Sequence, residues 1–191
     1  MSSRLDPSVR SFLAIELSEP LRVEACQCVD HLKARYPDFR FIDPANWHLT
    51  LHFFGYLSRE QMNQIIKTLP LFLASAKSFL ISWDGSSGAF PNLQNPAILW
   101  LGLGGDLEAL FVLKKEIDAA LQKMEFPIEK RPFKPHVTIA RAKKGVRISS
   151  VSFPTHPFVT KVQTRVESVT LFQTELLASG AKYSPLHCFP L

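Results

Sequence analysis

The sequence predicts an α+β protein of two pseudo-symmetric lobes, each a mostly antiparallel sheet with outer helices, and a cleft between them. Short apolar runs of strand length alternate with stretches of helical period. The order strand, helix, His-x-Thr strand occurs twice, with Phe12 to His48 spanning 36 residues and Leu99 to His136 spanning 37. Each copy is followed by a further segment and another strand. The repeat is one of layout more than of residue identity. It divides a single domain, 1–191, into lobe-forming repeats at approximately 9–90 and 97–191.

The elements follow in order. Ser11 to Leu17 is a short apolar strand. Ser18 can cap a helix that runs to Tyr36 with Leu21, Ala25, Cys28 and Leu32 on one face, and Pro37 stops it. The His48 strand comes next. Ser58 to Gln61 has capping-box spacing and leads into Met62, Ile65, Ile66 and Leu69 at helical period. Phe79, Ile81 and Trp83 alternate as a strand. Gly85 to Pro96, GSSGAFPNLQNP, is the densest turn signal in the chain and reads as the crossover loop between halves. Ala97 to Leu103 is a buried strand. Asp106 caps a helix carrying Leu110, Leu113, Ile117, Leu121 and Met124. The His136 strand follows Pro127, Pro132 and Pro135. Val169 to Leu176 and Tyr183 to Cys188 close the fold, with Pro185 sending the last strand to an edge.

A hydrophobic share of 46% against a charged share of 20% excludes a disordered chain. No apolar run approaches the roughly 20 residues that span a bilayer. The opening MSSRLDPSVR carries no apolar signal core, so a cytoplasmic location and no membrane partner are expected. Cys26, Cys28 and Cys188 are an odd number for a disulfide framework and suit a reducing compartment. The net charge of +5 is a mild basic bias, and its distribution matters more. Lys130, Arg131, Lys134, Arg141, Lys143, Lys144 and Arg147 crowd seven of the 22 basic residues around the second His-x-Thr. A solvated loop is the bland reading of that cluster, and a polyanion is the sharper one.

Side chains alternate across a strand, so His48 and Thr50 share one face while Leu49 and Leu51 take the other. His136 and Thr138 repeat the arrangement against Val137 and Ile139. The aliphatic positions supply the core. The His/Thr face must look into a polar cleft, because an unpaired imidazole in a dry core is costly. Two imidazoles and two hydroxyls suit phosphodiester chemistry. Each Thr donates to a phosphate oxygen, one His takes a proton from water and the other protonates the departing oxygen. An ordinary histidine pKa of about 6.5 lets one copy be neutral and the other cationic. In-line displacement needs these groups on opposite sides of phosphorus, which two lobes provide.

No His-x-His, His-Glu-x-x-His or Cys-x-x-Cys spacing occurs and no carboxylate adjoins either histidine, so no metal or cofactor is expected. Cys26 and Cys28 sit two apart on a helix and do not converge. No G-x-S-x-G nucleophile signature is present.

With these motifs and their flanks, the sequence resembles the two-histidine phosphoesterase superfamily, and within it the LigT/ThpR-like RNA 2',3'-cyclic phosphodiesterases. The likeness covers nearly the whole chain: VRSFLAIEL, WHLTLHFFG, GAFPNLQNPAILWLGL, RPFKPHVTIARAK and SVTLFQTELLASGAKYSPL. The resemblance implies hydrolysis of a terminal RNA 2',3'-cyclic phosphate to a 2'-phosphate. It implies His48 as proton donor and His136 as proton acceptor, an assignment the symmetry of the motifs leaves open. Thr50 and Thr138 match the family's phosphate-binding threonines, and Arg141 matches a basic position that can neutralise phosphate charge. Phe53 stands at the same offset in the first copy. Members of this branch are also associated with joining RNA ends through 2'-5' linkages, which microscopic reversibility makes reasonable. No phosphate-binding loop for ATP appears.

Weaker candidates complete the reading. His52 continues the face of His48 and Thr50 and is a candidate substrate contact at the cleft rim. Phe90 and Phe133 are candidates for stacking a terminal base. Trp47 should pack on the core side. His31, His156 and His187 read as structural or surface residues. The expected partners are RNA ends or small nucleotides bearing a 2',3'-cyclic phosphate, acted on by a monomer. The alternatives are a phosphodiesterase for small cyclic nucleotides or 2'-5' linked oligonucleotides, and a non-catalytic RNA-binding module.

Overall fold

The computed structural model describes residues 8–153, 162–177 and 180–191. Its strands are β1 (Val9–Glu16), β2 (Phe39–Phe41), β3 (His48–Leu57), β4 (Phe79–Phe90), β5 (Ile98–Gly105), β6 (His136–Ala142), β7 (Thr164–Val166), β8 (Ser168–Leu177) and β9 (Gly180–Pro190). The helices are α1 (Glu19–Arg35), α2 (Arg59–Leu73) and α3 (Leu107–Lys123), and a 3₁₀ turn spans Pro44–Asn46.

The caps explain where the helices begin. The Ser18 hydroxyl accepts from Leu21 N–H, Asp106 accepts from Ala109 N–H, and Ser58 and Gln61 form a reciprocal capping box. Each helix turns an apolar stripe to the sheet: Leu21, Ala25, Val29 and Leu32 from α1, Ile65, Leu69 and Leu73 from α2, Leu110, Leu113, Ile117 and Leu121 from α3. Val29, which sequence reading passes over, is fully buried, while Cys28 is only half-buried. No helix among the described residues is long and apolar enough to cross a membrane.

The strands form one antiparallel sheet in the order β7-β4-β5-β6-β3-β1-β8-β9, with β2 on β6 beyond the reach of β3. One continuous core of Leu13, Ile15, Leu49, Leu101, Val137, Val169 and their neighbours lies between this sheet and the helices. The opposite face is open and carries a smaller cluster of Phe12, Ala14 and Phe172, with Tyr183 against it.

Two expectations change. The first half of the 85–96 crossover is strand: β4 continues through Phe90, pairing Ser87 to Phe90 with Leu101 to Ile98, so only the residues after Phe90 turn. A kink in register between Trp83 and Ser87 absorbs the Gly and Ser residues that imitate a loop. The halves of the sheet also depart from the proposed 9–90 and 97–191 boundaries. β4 pairs with β5, and β1 pairs with β8, so the half holding β1 and β3 takes β8 and β9 from late in the chain, while β4 to β7 form the other half from residues 79–166. The short β2 and β7 leave no mark in the sequence, since three residues carry too little periodicity to register.

Candidate active site

The two His-x-Thr segments open the two central strands. β3 and β6 meet in register at Leu49 and Val137, both fully buried on the helix side. One step along that antiparallel register sets His48 across from Thr138 and Thr50 across from His136. All four lie on the open face and are half-buried. Each imidazole therefore stands beside the other motif's hydroxyl at the middle of the sheet.

Both rings are held in one way. His48 Nδ1 donates to the Asn46 carbonyl oxygen at 2.8 Å, and His136 Nδ1 donates to the Lys134 carbonyl oxygen at 2.7 Å. A carbonyl can only accept, so Nδ1 carries the proton and Nε2 at the far end of each ring is left for chemistry. Burial pushes the His48 pKa down to about 4. Its bond to Asn46 opposes that shift, and the charges of Arg141 and His136 reinforce it. Burial also lowers the His136 pKa, with Lys134 and Arg141 adding to the shift against the Lys134 carbonyl bond. Without an anion in the cleft, both imidazoles are neutral at pH 7. His136 and Arg141 acting on His48 mark the three groups as neighbours in one site.

Aromatic walls flank the pair. The His48 ring lies 4.7 Å from Phe12 and 5.1 Å from Tyr183, with Phe172 beyond. The His136 ring lies 5.1 Å from Phe90 and 6.3 Å from Trp100, and the Lys134 ammonium sits 3.7 Å over the Trp100 ring. Phe90 thus borders the His136 ring. Sequence reading misses Phe12, Trp100, Phe172 and Tyr183 as parts of the site, while Lys134 belongs to the basic cluster it names. Trp100 reaches the site through its pairing with Thr138 across β5–β6, a register that spacing along the sequence does not announce.

Both motifs carry a matching irregularity. Ala14 pairs with Thr50 and Leu13 with His52, so Leu51 is an extra residue in β3. Trp100 pairs with Thr138 and Leu99 with Ala140, so Ile139 is an extra residue in β6. A bulge one residue after each Thr reverses the alternation beyond it. It returns Arg141 to the open face while its neighbours Ala140 and Ala142 join the core, and it places Phe53 beside Phe12, ring centroids 5.8 Å apart.

The first bulge corrects the reading of His52. Its side chain is 7% exposed, on the helix side against Phe54 at 4.7 Å and facing Lys114 and Asp118 of α3. It does not line the cleft. Burial, then the Lys114 charge, pushes its pKa down to about 4, with Asp118 opposing. Phe133 is corrected too: it packs on α3, 6.0 Å from Phe111 and under the Lys114 ammonium, away from the His/Thr face. Trp47 is buried at 2% exposure and edge-on to Trp83. Ring contacts tie His187 to Phe189, His31 bonds within its own helix, and His156 lies outside the described residues. Among the described residues, no three His, Cys, Asp or Glu side chains gather as metal ligands would.

The comparisons with known proteins agree with this geometry. The family model described as the 2'-5' RNA ligase superfamily matches residues 19–176. A Methanothermobacter thermautotrophicus protein named RNA 2',3'-cyclic phosphodiesterase is 32% identical, over 96% of this chain and 99% of its own length. A Thermotoga maritima protein of the same name is 26% identical, over 94% of each. Among solved structures, a Thermus thermophilus protein superposes with a TM-score of 0.77 at 24% identity, covering 95% of this chain and 97% of that one. E. coli LigT complexed with 3'-AMP reaches 0.75 at 22% identity, covering 97% and 99%. With two His-x-Thr strands paired at the centre of a LigT-like fold, this chain belongs to the 2'-5' RNA ligase superfamily.

Proposed function

We propose that this protein hydrolyses terminal RNA 2',3'-cyclic phosphates to 2'-phosphates. The observation that carries the reading is the pair of imidazoles on adjacent central strands, each pinned through Nδ1 so that Nε2 is the reactive end. Relatives that match over nearly the full chain are named RNA 2',3'-cyclic phosphodiesterase, which supports the substrate class.

In the proposed reaction, His136 Nε2 takes a proton from water as its oxygen attacks phosphorus. His48 Nε2 gives a proton to O3' as the P–O3' bond breaks, leaving a 2'-phosphomonoester and a free 3'-hydroxyl. Thr50, Thr138 and Arg141 hold the non-bridging oxygens. An anionic phosphate raises the pKa of both imidazoles and supplies the protonated donor that the free site lacks. The reading takes the chain as a monomeric, single-domain enzyme of the cytoplasm that works without a metal.

The test is incubation with EDTA and an oligonucleotide ending in a 2',3'-cyclic phosphate, followed by end-group analysis. A 2'-phosphate product is expected, with His48→Ala and His136→Ala each losing roughly 100-fold or more in kcat. No turnover, or a 3'-phosphate product, overturns the reading.

A further inference from the structure

One exposed arginine lies beside this site without a part in the reaction. In the β2–β6 register Arg40 stands directly across from Arg141, flanked by the pairs Phe39–Ala142 and Phe41–Ala140. Phe39, Phe41, Ala140 and Ala142 all pack into the helix-side core. Alternation then sends both arginine side chains to the open face, the face of His48 and His136. Arg141 is close enough to lower the pKa of both histidines. Among the described residues no ion pair engages either guanidinium.

Directly opposed like charges destabilise a sheet, and no described carboxylate pairs with either arginine to offset the repulsion. An anion between or over the two guanidiniums would. Along the flank of β6 the order is Thr50, His48, then Arg40, facing His136, Thr138 and Arg141 in turn. Arg40 therefore lies one position past the reacting phosphate, where the chain of an RNA bound by its 3' end would carry its next phosphodiester.

Resting on the function proposed above, we propose that Arg40 binds the internucleotide phosphate adjoining the cyclic phosphate, so that the enzyme prefers an RNA 3' end to a free nucleotide. Arg141 serves the reacting phosphate and Arg40 its neighbour.

Arg40→Ala and Arg40→Lys are compared with the parent on an oligonucleotide 2',3'-cyclic phosphate and on a nucleoside 2',3'-cyclic phosphate. For Arg40→Ala, kcat/KM on the oligonucleotide should fall about tenfold, mainly through KM, and on the nucleotide by less than about twofold. The slope of log affinity against log salt should fall by about one, and Arg40→Lys should restore much of the loss. Relief of the charge repulsion should raise Tm by about 1 °C, whereas a structural arginine would lower it. Equal losses on both substrates, or no loss on either, overturn the proposal. Binding of a labelled oligonucleotide ending in 2'-phosphate reads the Arg40 contact without turnover. If the parent hydrolyses neither substrate, the hydrolase reading fails, and an affinity unchanged by Arg40→Ala rejects the subsite separately.

Discussion

Gly88 and Trp100 face each other across the β4–β5 register, and the indole fills the space that a side chain at 88 would occupy. The missing Cβ lets Trp100 lie flat on the sheet, 5.6 Å from Phe90 and 6.3 Å from His136. The wall on the His136 side of the cleft depends on that vacancy.

Gly88→Ala should therefore push the indole toward His136 or off the sheet. Overpacking of this kind costs about 1–3 kcal/mol. We expect a lower Tm in thermal denaturation and a kcat reduced more than KM is raised, because the ring displaced is next to a reacting group. Unchanged kcat would show that Trp100 does not set the His136 position.

The pH dependence of turnover should differ between its two kinetic parameters. The free site holds both imidazole pKa values low, His48 at about 4, so the kcat/KM bell should peak on the acid side of neutrality. Bound phosphate favours the charged imidazole and raises those values, moving the kcat optimum to higher pH. Steady-state profiles from about pH 4 to 9 check this, with chemistry limiting. Coincident optima would mean that substrate charge does not tune the histidines.

Stability should fall in acid because burial holds two imidazoles neutral in the folded protein. His48 and His52 both have folded pKa values of about 4 against an unfolded value near 6.5, so the unfolded chain binds more protons between those limits. Folding free energy is then fully present above about pH 6.5 and is lost as pH falls toward 4. Urea unfolding at pH 7 and pH 5 measures the drop. His52→Leu, which removes one of the two groups without touching the cleft, should flatten it.

Much of the fold is legible in the sequence because its signals are local. Ser58 with Gln61, the apolar stripe of α3 and the repeated His-x-Thr each announce themselves within a few residues. The bulges are not legible. Leu51 and Ile139 are ordinary strand residues, and only the partner strand reveals that each is one too many. Strict alternation therefore misplaces His52 and gives no physical reason for Arg141 to reach the cleft. Phe133 misleads for a related cause, since the proline-rich approach to β6 has no period from which to infer a face. The aromatic wall beside His48 is hidden because Phe172 and Tyr183 come from β8 and β9, which reach Phe12 of β1 across some 160 residues of sequence.

The pairing of β1 with β8 bears on how the protein is made. While a ribosome is still synthesising the chain, β1 can find β3, but its other edge waits for β8, more than 150 residues later. The half holding β1 and β3 therefore cannot close until β8 has been made, whereas β4 to β7 come from one stretch and can pair among themselves earlier. Until the last hairpin emerges, the unpaired flank of β1, with Phe12 and Ala14 bare, is an adhesive edge that a holding chaperone would be suited to mask.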